Sequence, residues 1–313
     1  MKGVVLAAGK GSRLYPVTHH VPKPLLPLAN RPTLEYAFDR LKEMGVRDVC
    51  VVVGEAEAQM KAALGDGSAF GIRLDYVRQS EPQGLAHAVG FTRDFVDGDD
   101  FVLYLGDAIY GSGFEAYAAR FRDSGCANLN IVKPVPDPSR FGVANVEGER
   151  IVKLVEKPKE PESNLAMAGL YFFGPQIWDV LPDLQPSARG EYEITDAIQM
   201  LVDRGESVLA GVYKGTWFDT GTLPSFLETS RFLTDGLDLV GAGAEVVGKT
   251  ERCVIGEGAK VTCRSMADVV VLPGSKVDAD GDLRQMLIGG EALFDGDAEW
   301  EIVWGLDRVA GRA

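Results

Sequence analysis

Nowhere in the 313 residues is there a run of about 18 apolar side chains, so no bilayer-crossing helix is expected. Cysteine is scarce. Cys50, Cys126, Cys253 and Cys263 form no C-x-x-C pair and read as free thiols of a reducing compartment. His19, His20 and His87 show no metal-ligand spacing, so no structural zinc is expected. The opening Met1-Lys2-Gly3-Val4-Val5-Leu6 lacks the apolar region and cleavage site of a secretory leader. A cytoplasmic protein without a membrane partner is therefore expected. A basic excess is also missing: 32 Lys and Arg against 46 Asp and Glu give a net charge of −14. Nucleic acid, which needs a broad basic surface, is thereby excluded as a general partner.

Acid is missing where it matters most. Residues 1–34 hold Lys2, Lys10, Arg13, Lys23 and Arg31 and no Asp or Glu, so the remainder of the chain carries −19. A cationic segment inside an acidic protein suits a small anionic ligand better than a polyanion. The rest of the composition, 46% hydrophobic and 25% charged, is that of an ordinary globular chain and excludes disorder, collagen-like repeats and coiled coil.

Apolar periodicity organises the first three quarters into alternating elements. Strands are expected at 2–7, 48–53, 74–77, 101–105 and 129–132, with helices at 31–44, 55–64, 85–95 and 114–124. This alternation predicts a mostly parallel, Rossmann-like α/β sheet, with ligands at the carboxyl ends of its strands. A hairpin at 143–146 and 151–156, strands at 169–173 and 208–212, and helices at 193–203 and 223–233 complete a domain over 1–234. Helical periodicity then stops. Val240/Val246, Ile255/Val261 and Val271/Val277 each lie six apart, and Ile255-Gly256-Glu257-Gly258 and Leu272-Pro273-Gly274-Ser275 read as hexapeptide turns. A left-handed parallel β-helix-like tail of two or three coils over 235–313 is expected, with a plain β-meander as the alternative.

Two segments carry the anion chemistry. Leu6-Ala7-Ala8-Gly9-Lys10-Gly11-Ser12-Arg13-Leu14 places glycines after a strand, where backbone N–H groups can cradle phosphate. It is not a P-loop, because Gly11 precedes Ser12 with no Lys between, nor a dinucleotide fingerprint, because Leu14 stands where a third glycine belongs. In Val21-Pro22-Lys23-Pro24-Leu25-Leu26-Pro27-Leu28 the prolines fix φ, so Lys23 sits on a stiff segment. Together, Gly9-x-Gly11-Ser12-Arg13-Leu14-x-Pro16-x-Thr18 and Pro22-Lys23-Pro24-Leu25-Leu26-Pro27 resemble the sugar-nucleotidyltransferase family, in a long form with a β-helical tail.

That resemblance implies a reaction and a set of roles. A nucleoside triphosphate, dTTP by preference or UTP, and glucose 1-phosphate would give a nucleotide-sugar and pyrophosphate. Arg13 and Lys23 would be catalytic, and Leu6, Ala8, Gly9, Gly11, Gln79 and Gly84 would bind nucleotide. Gln79 lies in Gln79-Ser80-Glu81-Pro82-Gln83-Gly84-Leu85-Ala86-His87-Ala88, which resembles the base-reading loop; His87, inside the following helix, reads as packing or surface. Mg²⁺ would be held by Asp107, in Leu103-Tyr104-Leu105-Gly106-Asp107, and by Asp219, in Trp217-Phe218-Asp219-Thr220-Gly221-Thr222, with Thr222 also a candidate helix cap. Ala108 departs from the Asn that many relatives carry. Val155-Glu156-Lys157-Pro158 resembles the sugar-phosphate motif, Glu156 taking the sugar and Lys157 the phosphate. Gly142 and Tyr171 would line the same pocket. Neighbouring strand residues point oppositely, so Glu156 and Lys157 can share a ligand only if the strand ends or bends there. Homo-oligomers are expected by resemblance. A UTP-specific enzyme and a non-catalytic, sugar-nucleotide-binding regulator are the alternatives.

Overall fold

Short apolar stretches rich in β-branched residues bury best as strands covered on both faces. The central strands of a nine-stranded sheet are of this kind, whereas outer ones such as RLDYVR and RIVKLVE keep one face exposed: β1 (Lys2–Ala7), β2 (Asp48–Val53), β3 (Arg73–Arg78), β4 (Phe101–Leu105), β5 (Asn128–Pro134), β6 (Gly142–Glu147), β7 (Arg150–Glu156), β8 (Leu165–Phe173) and β9 (Val208–Val212). The computed structural model describes residues 1–311. It divides into two compact units. The first comprises Met1–Gly9 and Tyr36–Trp217; the second comprises Lys10–Glu35 and the chain from Phe218 onward.

The sheet of the first unit runs β3-β2-β1-β4-β8-β5-β9-β7-β6. Its first four strands are parallel, with Leu6 opposite both Val52 and Leu105. The expectation of a mostly parallel sheet is corrected beyond that point: β8 is antiparallel to β4 and β5, and β6 and β7 form an antiparallel hairpin. The turn between β6 and β7 is too short for the crossover that parallel neighbours need. Gly148, at φ 61°, supplies the left-handed residue that turns it. The helix expected at 85–95 is broken into Leu85–Gly90 and Arg93–Val96, where the Thr92 hydroxyl donates to the Val89 carbonyl at 2.8 Å.

Phe101, Phe173 and Ile177 have no exposed surface, and the Phe101 ring lies 5.3 Å from Phe173 and 5.6 Å from Trp178. Each such ring contributes about 1.5–3 kcal/mol by leaving water. All four cysteines are free and buried, and burial pushes the Cys50 thiol up to about 12. No helix among the described residues is long and apolar enough to cross a membrane.

In the second unit, Leu223–Leu233 is a helix capped by Thr222, whose Oγ1 accepts from the Ser225 N–H at 3.4 Å. Beyond it the strands pair in parallel. Val246 lies opposite Val261, which lies opposite Val277, which lies opposite Ala292. Val240, Ile255, Val271 and Ile288 form a second stack that ends on Val303, and Thr250, Met266, Leu283 and Ala298 a third. The pairs read from the sequence as six apart are thus neighbours within one rung. At one corner Arg252, Asp268, Gln285 and Trp300 all hold φ between 54° and 56°. Strand Asp307–Ala310 folds back antiparallel on Glu301–Trp304 and covers the last ladder edge.

The segment 10–35 belongs to this same unit. His20 stacks on Trp304 with ring centroids 4.2 Å apart, and the Asn30 amide donates to the Ile255 carbonyl at 3.0 Å.

Acid should loosen the stacked strands at one identifiable place. The Asp282 carboxylate accepts from Arg264 Nε at 2.7 Å and from Ser265 Oγ at 2.8 Å, and chiefly the Arg264 bond brings its pKa down to about 2. A depressed carboxylate contributes stability above its ordinary range and loses it as pH falls toward the folded value. Asp282→Asn is therefore expected to lower the melting temperature at neutral pH, and the wild-type and variant curves should converge near pH 2. Parallel curves across that window would remove the assignment.

Candidate active site

The glycine loop and the Lys23 segment meet by design of their residues. Gly11 sits at φ 64°, and a Cβ there would lie 2.9 Å from Lys23 Cβ and 3.1 Å from Thr18 Cγ2. Only glycine accommodates both the backbone and the contact. The Thr18 hydroxyl donates to the Gly11 carbonyl at 2.8 Å. Three short 3₁₀ turns, Ser12–Leu14, Val17–His19 and Lys23–Leu25, carry the segment, and Leu14, Val17 and Leu26 anchor it with no exposed surface. Arg13 is exposed beside buried Leu14, and Lys23 is half-buried between Pro22 and Pro24. At the end of β1, Ala8 is half-buried and Gly9 exposed. Gly54 leaves room for the Ala8 carbonyl, 2.8 Å from where its Cβ would be.

Asp219 ends the short strand Trp217–Asp219, and Gly221 two residues on brings Arg13 to it. A Cβ on Gly221 would lie 2.5 Å from Arg13 Nη2 and 2.9 Å from Asp219 Oδ1. The guanidinium and the carboxylate thus occupy adjoining space over one glycine. Asp107 follows β4, in the turn to strand Ala108–Tyr110. The Gly106 N–H donates to the Leu6 carbonyl at 2.9 Å, which pins this turn to the carboxyl end of β1. Ala108 is buried, and its carbonyl accepts the Tyr104 hydroxyl at 2.9 Å.

In the loop expected to read the base, Gln79 is only 5% exposed. Its backbone N–H donates to the Val53 carbonyl at 2.9 Å, and its Nε2 lies 3.0 Å from His87 Nδ1 and 3.4 Å from the Gly84 carbonyl. His87 is half-buried, and it touches the candidate reader as well as packing on its neighbours. Gly84, at φ 108°, makes room for Tyr192, whose carbonyl would be 2.5 Å from a Cβ there.

β7 ends at Glu156, and Lys157 takes the left-handed region at φ 43°. That bend turns Lys157 Nζ to within 3.7 Å of Glu156 Oε1, so the two neighbours face one side. Glu156 is held by the Thr195 hydroxyl at 2.6 Å and by Arg189 Nη1 at 3.5 Å. A Cβ at Gly142 would strike Thr195 Oγ1 at 2.8 Å and Glu156 Oε2 at 3.1 Å, so Gly142 keeps the space this pair fills. Gly169, at φ 88°, lies where the β8–β5 register slips and is a bulge. Tyr171 is 3% exposed, and burial, then the Glu156 charge, pushes its phenol above the ordinary range.

Arg189, Glu193 and Thr195 were not expected from the sequence. Arg189 Nη1 lies 3.3 Å from Glu193 Oε1, and Glu193 also accepts from Ser187 Oγ at 3.0 Å. Burial first, and then neighbouring charge, raises the carboxyl pKa of Glu193, and burial followed by Glu156 raises that of Asp196. The dense charge of Arg189-Gly190-Glu191-Tyr192-Glu193 just before helix Ile194–Asp203 was the signal available.

Among the described residues no three His, Cys, Asp or Glu side chains group as metal ligands. A hard carboxylate at a strand end suits an ion that takes its other oxygens from phosphate and water, as Mg²⁺ does.

The family model "Nucleotidyl transferase" matches residues 2–236. A low-salt glycan biosynthesis nucleotidyltransferase of Haloferax volcanii is 43% identical over 76% of this chain and 68% of its own. A glucose-1-phosphate thymidylyltransferase of Streptomyces antibioticus is 40% identical over 88% of this chain and 79% of its own. The crystal structure of a proposed glucose-1-phosphate thymidylyltransferase from Bacillus anthracis superposes with a TM-score of 0.71 at 36% identity, covering 75% of this chain and 96% of that one. Motifs, sheet and relatives agree, and the chain belongs to the nucleotidyl transferase family.

Proposed function

We propose that the protein is a glucose-1-phosphate thymidylyltransferase, joining dTTP and glucose 1-phosphate to give dTDP-glucose and pyrophosphate. The observation that carries this reading is the packing of Gly11 on Lys23 and of Arg13 beside Asp219 over Gly221. It gathers a glycine loop, two cations and a carboxylate in one compact unit. The Streptomyces relative supports the choice of substrates.

Both reactants are anions, so the work of the site is positioning and charge stabilisation. An oxygen of the sugar phosphate attacks the α-phosphorus in line. The new P–O bond forms as the α–β bridging P–O bond breaks, and pyrophosphate leaves with that electron pair. The nucleophile is ionised at neutral pH and needs no general base. Arg13 clamps the leaving pyrophosphate portion, and Lys23 stabilises the charge at the α-phosphoryl group. Lys157 holds the incoming phosphate and Glu156 the sugar hydroxyls, while Arg189 and Thr195 keep Glu156 in place. Gln79 reads the base. Asp107 and Asp219 would hold Mg²⁺, which when bound neutralises charge on phosphate oxygens.

Residues 1–234 form the transferase domain in this reading. The tail that follows, residues 235–313 by sequence, is read as a short left-handed β-helix, supported over its described residues by three parallel stacks. Association through the tail into homo-oligomers and a cytoplasmic location complete the proposal.

Pyrophosphate release, assayed for each of five triphosphates against several sugar 1-phosphates, tests it. The highest kcat/KM is expected for dTTP with glucose 1-phosphate. UTP presents the same hydrogen-bonding edge and lacks only one methyl group, so it should follow within about 10–200-fold. No pyrophosphate release with any pair would leave a binding protein. Asp107→Asn should shift the magnesium titration of turnover to higher concentration; an unaltered titration would separate Asp107 from the metal.

A further inference from the structure

Gln79 is a primary amide, and an amide can face either way. Turned one way it accepts an N–H and donates to a carbonyl; turned the other way it presents the reverse. Thymine and uracil offer N3–H flanked by carbonyls. Cytosine offers a bare N3 acceptor and an amino donor. The orientation of one side chain therefore decides between two base classes.

The structure shows what fixes it. Gln79 Nε2 lies 3.0 Å from His87 Nδ1. The amide nitrogen can only donate, so Nδ1 accepts and the ring proton sits on Nε2. One amide hydrogen is then held by His87. The other is held only weakly, by the Gly84 carbonyl at 3.4 Å, and Oε1 keeps its accepting lone pairs. Flipping the amide would set Oε1 against the Gly84 carbonyl, two acceptors facing each other, and would force His87 into the other tautomer, with its proton on Nδ1. The imidazole itself is set by its neighbours: the Phe91 ring meets it edge-on at 5.0 Å, and Tyr192 stacks at 6.1 Å. The Tyr192 carbonyl in turn accepts the Ala86 N–H at 3.0 Å, and its N–H donates to Gln83 at 2.7 Å, so loop and helix start are tied together.

We propose that His87 is a positioning residue that locks Gln79 in the orientation accepting N3–H, and so selects thymine and uracil over cytosine. It deepens, and rests on, the base-reading role of Gln79 proposed above. His87 touches no substrate atom in this assignment; it acts through Gln79.

Two variants separate positioning from packing. In His87→Asn the side-chain carbonyl takes over as acceptor, whereas His87→Leu fills space and accepts nothing. Steady-state kinetics with dTTP and dCTP, and calorimetric binding of dTDP and dCDP, are measured on the full chain. For His87→Leu, KM for dTTP should rise about tenfold with kcat within about threefold. The dTTP:dCTP ratio of kcat/KM should fall about tenfold, the scale of one neutral hydrogen bond. His87→Asn should stay within about threefold of wild type on each measure. An unchanged ratio in His87→Leu overturns the proposal, as does equal damage from both variants, which is what a packing role gives. If wild type turns over no triphosphate but still prefers dTDP to dCDP, and His87→Leu loses that preference, the transferase reading falls and the His87 assignment stands. Equal binding of dTDP and dCDP by wild type overturns the assignment outright.

Discussion

Replacing Lys23 with alanine is expected to lower kcat by about 10²–10³, the scale for removing one preorganised charge from a transition state. The fold should tolerate the change. Gly11 packs on the Cβ of Lys23, and alanine keeps that atom. The stiffness of the segment comes from Pro22 and Pro24 and from the Leu25 N–H donating to the Pro22 carbonyl at 2.8 Å, none of which involves the ammonium group. The effect should fall on kcat more than on KM for the sugar phosphate, because the proposed charge is stabilised as the α-phosphoryl group transfers. Pre-steady-state and steady-state rates with dTTP and glucose 1-phosphate, alongside a melting curve, check it. Undiminished turnover by a folded variant sinks the role given to Lys23.

How much of this was legible depends on how local each feature is. The cradle was readable because its parts are short: glycines follow a strand, and prolines flank a lysine ten residues on. The inward stacks of the tail were readable for a similar reason, since Ile255/Val261 and Val271/Val277 repeat the same six-residue step. Their rungs are 15 to 17 residues apart, and that drift hid the number of turns. Arg189 was not legible. It meets Glu156 across 33 residues of sequence, and only the bend at Lys157 and the loop before Ile194–Asp203 bring them together. The Gln79 partner of His87 escaped, because a single histidine in a helix carries no signal of what its ring will face. The direction of β8 escaped as well. Its residues are apolar on both faces, which fits a parallel or an antiparallel neighbour equally, and its placement between β4 and β5 is a tertiary outcome.

Gly221→Ala should cost about 10²-fold in kcat/KM while leaving the melting temperature nearly unchanged. The substitution removes no charge and no ligand. Its methyl group would enter space held by Arg13 Nη2, 2.5 Å away, and Asp219 Oδ1, 2.9 Å away. Both are ends of flexible side chains, so they can move aside, and the backbone at Gly221 is outside the left-handed region that alanine resists. Stability is therefore spared, and the cap on the next helix, made by Thr222 and Ser225, is untouched. Displacing a phosphate clamp by about 1 Å is enough for a loss of this size. The comparison that decides the matter is with Arg13→Ala. If Gly221 acts by holding the guanidinium beside the Asp219 carboxylate, the double variant should be little worse than Arg13→Ala alone. Full additivity of the two losses would mean that the glycine does not act through the guanidinium, and the role given to its contact with Arg13 would fall.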